Sequence, residues 1–329
     1  MTIRIAITGA GGRMGRTLAL DLAGRGCHLA LSDVNETGLA ETVGLLKNSG
    51  VRVTHQRLDV ADRAAVFAWA DQVVGDHGKA NLIFNNAGVG LAATVEGMKI
   101  EDFEWLMNIN FWGVVHGTQA FLPALKQSGD GHVINTSSLF GLLAVPSQSA
   151  YHASKFAVRG FTESLRQELD MMDCGVSATC VHPGGIKTAI ARNSRMDASI
   201  QTLGMDEKKA GKKFEQNFIT TAEKAAAIIL KAVQKNERRV LVGPDAQMLD
   251  KNVKHAGYTR IVDLWAFGCM LYEMLVGRSV FGKSGDPTHA IYLRIMSGRV
   301  NVPGRVSGNA TALIKSLLTA DPSKRLCTI

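Results

Sequence analysis

Residues 3–24, IRIAITGAGGRMGRTLALDLAG, decide the fold. IRIAIT is a short run with Ile at positions 3, 5 and 7 and reads as a strand. Glycines at 9, 11, 12 and 15 interrupt it, and from Gly15 onward apolar residues return at helical spacing. Glycine tolerates unusual φ and lets the main chain approach a bound group closely, while the positive end of a helix suits a pyrophosphate. Thr8, Gly9, Gly11, Gly12, Arg13, Met14 and Gly15 are therefore candidate cofactor contacts. A tight strand-to-helix turn without a ligand accounts for the glycines equally well.

Working outward, the same rhythm repeats. HLALSD (28–33), RVTHQRLDV (52–60), NLIFNNAG (81–88), GHVINTSS (131–138), VSATCVHPG (176–184) and RRVLVG (238–243) read as further strands. Helical segments separate them, including one around Phe103–Lys126, one after Tyr151 and one over Ala222–Lys235. Seven strands and roughly six helices predict an α/β fold: a doubly wound parallel sheet with helices on both faces and ligands beyond the carboxyl ends of the strands. The charged stretch between Thr188 and Thr221 lacks strand character. Past Pro244 the alternation stops, so we expect one domain over residues 1–255 and a mostly helical tail over 256–329.

The 329 residues carry a formal charge of +8, which raises the question of nucleic acid. Residues 1–255 hold 28 basic against 25 acidic side chains, and the last 74 hold 9 against 4. With no basic run interleaved with aromatics, a solvated basic face is the expectation, not a nucleic-acid surface. Cysteines at 27, 174, 180, 269 and 327 lack CxxC spacing, so we expect reduced thiols and no metal site. The N-terminus runs directly into a strand pattern without a secretory signal, and Ile261–Gly277 is interrupted by Asp263 and Glu273. A cytoplasmic protein with a buried helix there, and no membrane span, is expected.

Asp33 ends the second strand, where a carboxylate accepts hydrogen bonds from an adenosine ribose and repels a 2′-phosphate. This favours NAD. Arg13 and Arg16 offer a phosphate partner, which keeps NADP open, and an ordinary loop acid is the plain alternative for Asp33. Further on, Tyr151-His152-Ala153-Ser154-Lys155 sets a phenol and an ammonium four residues apart on one helix face. A free tyrosine has a pKa near ~10 and exchanges protons poorly at neutral pH unless a cation stabilises its phenolate. Lys155 supplies that charge, which makes Tyr151 a usable general acid or base. Ser138, at the end of the GHVIN strand, can donate to a carbonyl oxygen as negative charge develops.

With these pieces in order, residues 1–250 resemble the short-chain dehydrogenase/reductase (SDR) family. TGAGGRMG (8–15), Asp33, LDV (58–60), NNAG (85–88), NINFWG (108–113), NTSS (135–138), YHASK (151–155) and HPGGIKT (182–188) carry the resemblance. It implies a Rossmann-type fold and hydride transfer between a nicotinamide cofactor and a ketone or secondary alcohol. It implies Tyr151 as acid/base, Ser138 orienting the substrate, Lys155 holding the nicotinamide ribose while lowering the tyrosine pKa, and Asn110 holding a relay water. By the same carry-over, Asp59 and Val60 contact adenine; Asn86, Ala87, Gly88, Pro183 and Gly184 line the cofactor; Ile186 and Thr188 hold its carboxamide. The family also implies a homodimer or homotetramer, and a substrate lid after Thr188 that contains Arg192, Arg195, lysines 208, 209, 212 and 213, Met196, Met205 and Phe214. One departure is Arg13, which stands where the family's TGxxxGxG has its middle glycine. A side chain there either crowds the pyrophosphate or, swinging outward, engages it.

From Gly257 the chain resembles late C-lobe helices of eukaryotic protein kinases, in GYTRIVDLWAFGCMLYEMLVGRSVF and ALIKSLLTADPSKRL. Asp263, Trp265, Gly268, Glu273 and Arg325 fall on that pattern, and Val280 stands where proline is usual. No HRD, DFG or APE string is present, so phosphoryl transfer is not expected. A fusion of a reductase with an incomplete kinase fragment is the expectation, with the Ile261–Val276 helix poorly packed for want of partners. The rival reading is a non-catalytic nucleotide-binding or scaffold protein.

Overall fold

In the first strand, Ile5 and Ile7 point to one face of the sheet and Ala6 to the other, and all three are buried. That two-sided burial is what a parallel sheet covered by helices on both faces requires. The computed structural model describes residues 2–206, 218–255, 261–282 and 299–319, with positions 209, 211, 212, 215, 216, 286, 294 and 297. The chain divides into two compact units, Met1–Asp250 and Lys251–Ile329.

In the first unit, β1 (Arg4–Thr8), β2 (His28–Asp33), β3 (Val53–Arg57), β4 (Leu82–Asn85), β6 (Gly131–Thr136), β7 (Val176–Pro183) and β9 (Arg239–Val242) form one sheet. The order is β3-β2-β1-β4-β6-β7-β9, parallel throughout. Seven parallel strands are what the rhythm predicts. β1 pairs with β2 on one side and β4 on the other, so successive crossovers leave β1 in opposite directions and open a crevice at its carboxyl end.

Helices α1 (Arg13–Gly24), α2 (Glu36–Leu46) and α7 (Ala222–Gln234) cover the face of Ile5, Ile7, Leu29 and Leu31. Helices α3 (Arg63–His77), α5 (Gly113–Ser128) and α6 (Ser149–Met172) cover the other, where Trp69 meets Phe121 edge-on at 5.2 Å. Local chemistry sets the helix ends: Asn35 and Asp62 cap α2 and α3 by accepting from Gly38 and Ala65 N–H, and Gly78 closes α3 at φ 77°.

Three features differ from the expectations. Helix α1 begins at Arg13, two residues before Gly15. The segment around Phe103–Lys126 is longer and interrupted: α4 (Ile100–Met107) runs through a π turn (Asn108–Trp112) into α5. The stretch after Thr188 does contain a strand, β8 (Arg195–Met196), paired with β5 (Leu91–Ala92) in a two-stranded sheet. Two residues are too few for a β signature in sequence, and the partner lies over a hundred residues away.

Helix α8 (Pro244–His255) follows β9. In the second unit, α9 (Ile261–Val276) and α10 (Gly308–Leu317) share a small core of Tyr272, Val276, Phe281, Ile314 and Leu318, with Trp265 stacked on Phe281 at 5.4 Å. Poor packing is thus corrected: Gly268 lets the helices approach, since a Cβ there would lie 2.9 Å from that of Leu317. Full burial is corrected too, because Phe267 is 46% and Met274 74% exposed. Lys208, Lys213, Phe214, Arg325 and Cys327 lie outside the described residues, as does the side chain of Asp263. Among the described residues the remaining cysteines are free, and no helix is long and apolar enough to cross a membrane.

Candidate active site

The glycine turn is built from close approaches. Gly9 has φ +68°, and a Cβ on it would lie 2.9 Å from the Ala87 Cα. A Cβ on Gly11 would lie 2.8 Å from the Leu39 N, and one on Gly15 would run into the Gly9 carbonyl oxygen. Asp33, at the end of β2, accepts from Gly11 N–H at 2.8 Å and from Asn35 N–H at 2.8 Å. The acid thus ties the turn to the second strand while lining the same cavity.

The two arginines of this region have separate fates. The Arg13 side chain leaves the turn and lies 3.8 Å from Glu223, with more than half of its surface exposed. The residue swings outward onto Glu223 while still lining the cavity. Arg16 is engaged by protein groups: its guanidinium donates to Thr42 Oγ1, the Gly11 and Gly38 carbonyls and Glu41, stapling the turn to α2.

At the end of β4, Thr8 Oγ1 accepts from the Asn86 and Ala87 N–H groups, and Asn86 Nδ2 donates to the Thr8 and Gly9 carbonyls. The NNAG segment is so locked onto the glycine turn. Asn110 is fully buried in the π turn; its Oδ1 accepts from Val89 N–H at 2.8 Å and its Nδ2 donates to the Val89 carbonyl at 2.9 Å. Its amide clamps the strand loop, so a water would have to be held by other atoms than these.

Ser138, Tyr151 and Lys155 converge beyond β6. Ser138 Oγ accepts from Phe140 N–H at 3.1 Å, which leaves its own proton to donate. Phe140 packs edge-on against the Tyr151 ring at 6.1 Å. Lys155 is 3% exposed, donates to the Thr136 carbonyl at 3.0 Å and has its ammonium 5.6 Å from the centre of the Tyr151 ring. Burial pushes the Lys155 pKa down to about 8, so the ammonium is still the main form at neutral pH. Burial pushes the Tyr151 phenol up, and the hydrogen bond from Ser138 pulls it down. In the protein alone burial is the larger of these two effects, and the phenol stands above its ordinary value.

A cavity of about 920 Å³ joins these parts. Every candidate residue lines it except Thr8 and Asn110, which brace its wall from behind. At its inner end Gly88 keeps the floor open, since a Cβ there would lie 3.2 Å from Asn110 Oδ1 and 3.6 Å from Lys155 Nζ. Asp245 was not foreseen: its Oδ2 accepts from Gly185 N–H at 2.6 Å and fixes the loop of Pro183, Gly184 and Ile186. A lone acid after a glycine and a proline carries no signal of that contact in sequence. Of the lid residues, Arg192 lines the cavity and pairs with Glu215 at 3.1 Å. Arg195 instead stacks on Trp105 at 3.5 Å and pairs with Asp102 at 2.6 Å, outside the cavity.

Residues 4–199 match the short chain dehydrogenase family, and residues 229–328 match the protein kinase domain family. The first residues of the second match, the end of α7 and β9, belong to the Rossmann-type unit in this structure. SadH of Mycobacterium tuberculosis is 48% identical over 259 residues, covering 78% of this chain and 92% of its own. A short-chain dehydrogenase/reductase from Burkholderia phymatum, solved with NAD, superposes with a TM-score of 0.71 at 30% identity, over 76% of this chain and 92% of that one. Levodione reductase superposes with a TM-score of 0.65 at 28% identity, over 74% and 98%. A glycine turn locked to NNAG, a buried lysine beside the tyrosine and these likenesses agree: the chain is an oxidoreductase of the short-chain dehydrogenase/reductase family.

Proposed function

We propose that the Rossmann-type unit transfers a hydride between NAD and a ketone or secondary alcohol, with Tyr151 as general acid/base. The observation that carries the reading is the joining of Asp33, the glycine turn and the Ser138–Tyr151–Lys155 group in one cavity. Glycines whose missing Cβ atoms leave a cradle at both ends suit an extended dinucleotide. The relative from Burkholderia phymatum was solved with NAD, which supports the choice of cofactor. When bound, the nicotinamide supplies or accepts the hydride.

The chain's own residues do the rest. Ser138 donates to the substrate oxygen as it gains charge, and Tyr151 gives that oxygen its proton in reduction or removes it in oxidation. Lys155, held by the Thr136 carbonyl, keeps a positive charge next to the phenol and binds the ribose hydroxyls of the cofactor. Asn110 keeps Val89 in place beside Tyr151 with both ends of its side-chain amide. Asp33 sets the preference for NAD, since a 2′-phosphate there would meet a carboxylate. Turnover followed at NADH absorbance over a panel of ketones and alcohols is expected to give kcat/KM at least about tenfold higher with NAD than with NADP. Equal or better use of NADP would refute the Asp33 assignment.

The tail is proposed as a non-catalytic kinase-like fragment, and Trp112 and Phe156, exposed on the α5 and α6 side, support a homo-oligomer. Limited proteolysis is expected to trim the chain near residue 255 and to leave reductase turnover intact. Loss of turnover on trimming would make the tail part of the enzyme.

A further inference from the structure

His182 is the last side chain but one of β7 and is fully buried. Its Nδ1 lies 2.9 Å from the Ser138 carbonyl oxygen. A carbonyl only accepts, so Nδ1 carries the proton and Nε2 is a bare lone pair. That Nε2 is buried with no partner. Burial holds the imidazole pKa down at about 4, so the ring stays neutral at working pH. A buried acceptor without a donor is destabilising, a cost that a leucine of similar volume would avoid. The histidine therefore does something for which only its Nδ1 proton is needed.

That proton ends on the residue whose hydroxyl faces the substrate. The Ser138 carbonyl also accepts from Gly141 N–H at 2.9 Å, and Ser138 Oγ from Phe140 N–H at 3.1 Å. Ser137 N–H donates to the Val181 carbonyl, and Ser137 Oγ to that of Lys155 at 2.7 Å. Of these contacts, the one from His182 is the side-chain link between β7 and the Ser138 main chain. It fixes the peptide that carries the hydroxyl against the strand leading into Pro183 and Gly184.

We infer that His182 is a positioning residue of the reductase: its Nδ1–H donates to the Ser138 carbonyl and aims the Ser138 hydroxyl at the substrate oxygen. The inference rests on the proposed role of Ser138. In His182→Asn the amide nitrogen falls where Nδ1 was, whereas in His182→Gln it falls near Nε2, and His182→Leu has no donor. Asn is expected to keep kcat within about threefold, and Gln and Leu to lower it about tenfold, the scale of one lost hydrogen bond. The Kd for NAD, measured by fluorescence titration, is expected to stay unchanged in all three, because no cofactor contact is altered. In a double-mutant cycle with Ser138→Ala, His182→Leu should add less than about a twofold further loss, since it acts through Ser138. Should Leu fail to fold, the Asn and Gln pair carries the comparison. Equal activity of Asn and Gln, or losses that multiply in the cycle, would overturn the inference. Full turnover in Ser138→Ala would instead overturn the reading of the site itself.

Discussion

Tyr151→Phe is expected to lower kcat by about a hundredfold or more, the scale of a lost general acid/base. The change removes one oxygen and keeps the ring that packs edge-on against Phe140. The neighbouring cofactor wall is untouched, so the Kd for NAD should stay within about twofold of the parent, a difference of less than 1 kcal/mol. The two readouts separate chemistry from binding: stopped-flow hydride transfer at saturating substrate for the first, quenching of tryptophan fluorescence by NAD for the second. Turnover at the parent rate would refute Tyr151 as the proton carrier. The pH profile carries a sign as well. Burial raises the phenol above its ordinary value in the free protein, so oxidation of an alcohol, which needs the phenolate, is expected to speed up as pH rises through the neutral range. Reduction needs the protonated phenol, which is the dominant form throughout that range, so it should stay flat there and slow only in strong alkali.

The second large effect is expected at Gly15. Its added Cβ would run into the Gly9 carbonyl oxygen and come within 2.9 Å of the Ala10 Cα, both main-chain atoms that no rotamer change can move aside. Gly15→Ala must therefore shift the first turn of α1 off the strand end, an overpacking cost of about 1–3 kcal/mol. NAD affinity is expected to fall about a hundredfold, because the turn supplies the main-chain approach and helix terminus that a pyrophosphate needs. Gly12→Ala is the control: its Cβ would come no closer than 3.5 Å to the Gly9 oxygen, and a small effect is expected. Isothermal titration of both variants, with thermal melts alongside, checks this. Equal affinities for the two would mean that close packing of α1 on the turn is not what holds the dinucleotide.

Much of the fold is legible because it is local. A parallel strand buried on both faces writes itself as a short apolar run, and the crossover helices follow at their own period, so seven strands emerge from segments read one at a time. The same holds for the tyrosine and lysine four residues apart on α6, and for Asp33 at the end of β2. Side-chain partners are different. Arg16 lies beside a phosphate turn in sequence, yet Thr42 and Glu41, on the following helix, take its guanidinium. Asn110 reads as a holder of water, yet Val89 takes both ends of its amide.

The tail repeats the contrast. Its apolar helix, deprived of a kinase lobe, gave reason to expect poor packing, but Gly268 and the segment 300–318 supply a core that periodicity within the helix does not reveal. By itself the sequence determined the order of strand, glycine turn and helix, the family, and the identities of the tyrosine, serine and lysine, since each is encoded by neighbours within one or two turns of chain. Only the tertiary structure decided that Arg13 faces Glu223, that Asp245 holds Gly185 and that His182 holds Ser138. Those pairs join residues 44 to 210 positions apart, and which of many polar groups meets which is fixed by how helices and strands pack, not by the spacing of residues along the chain.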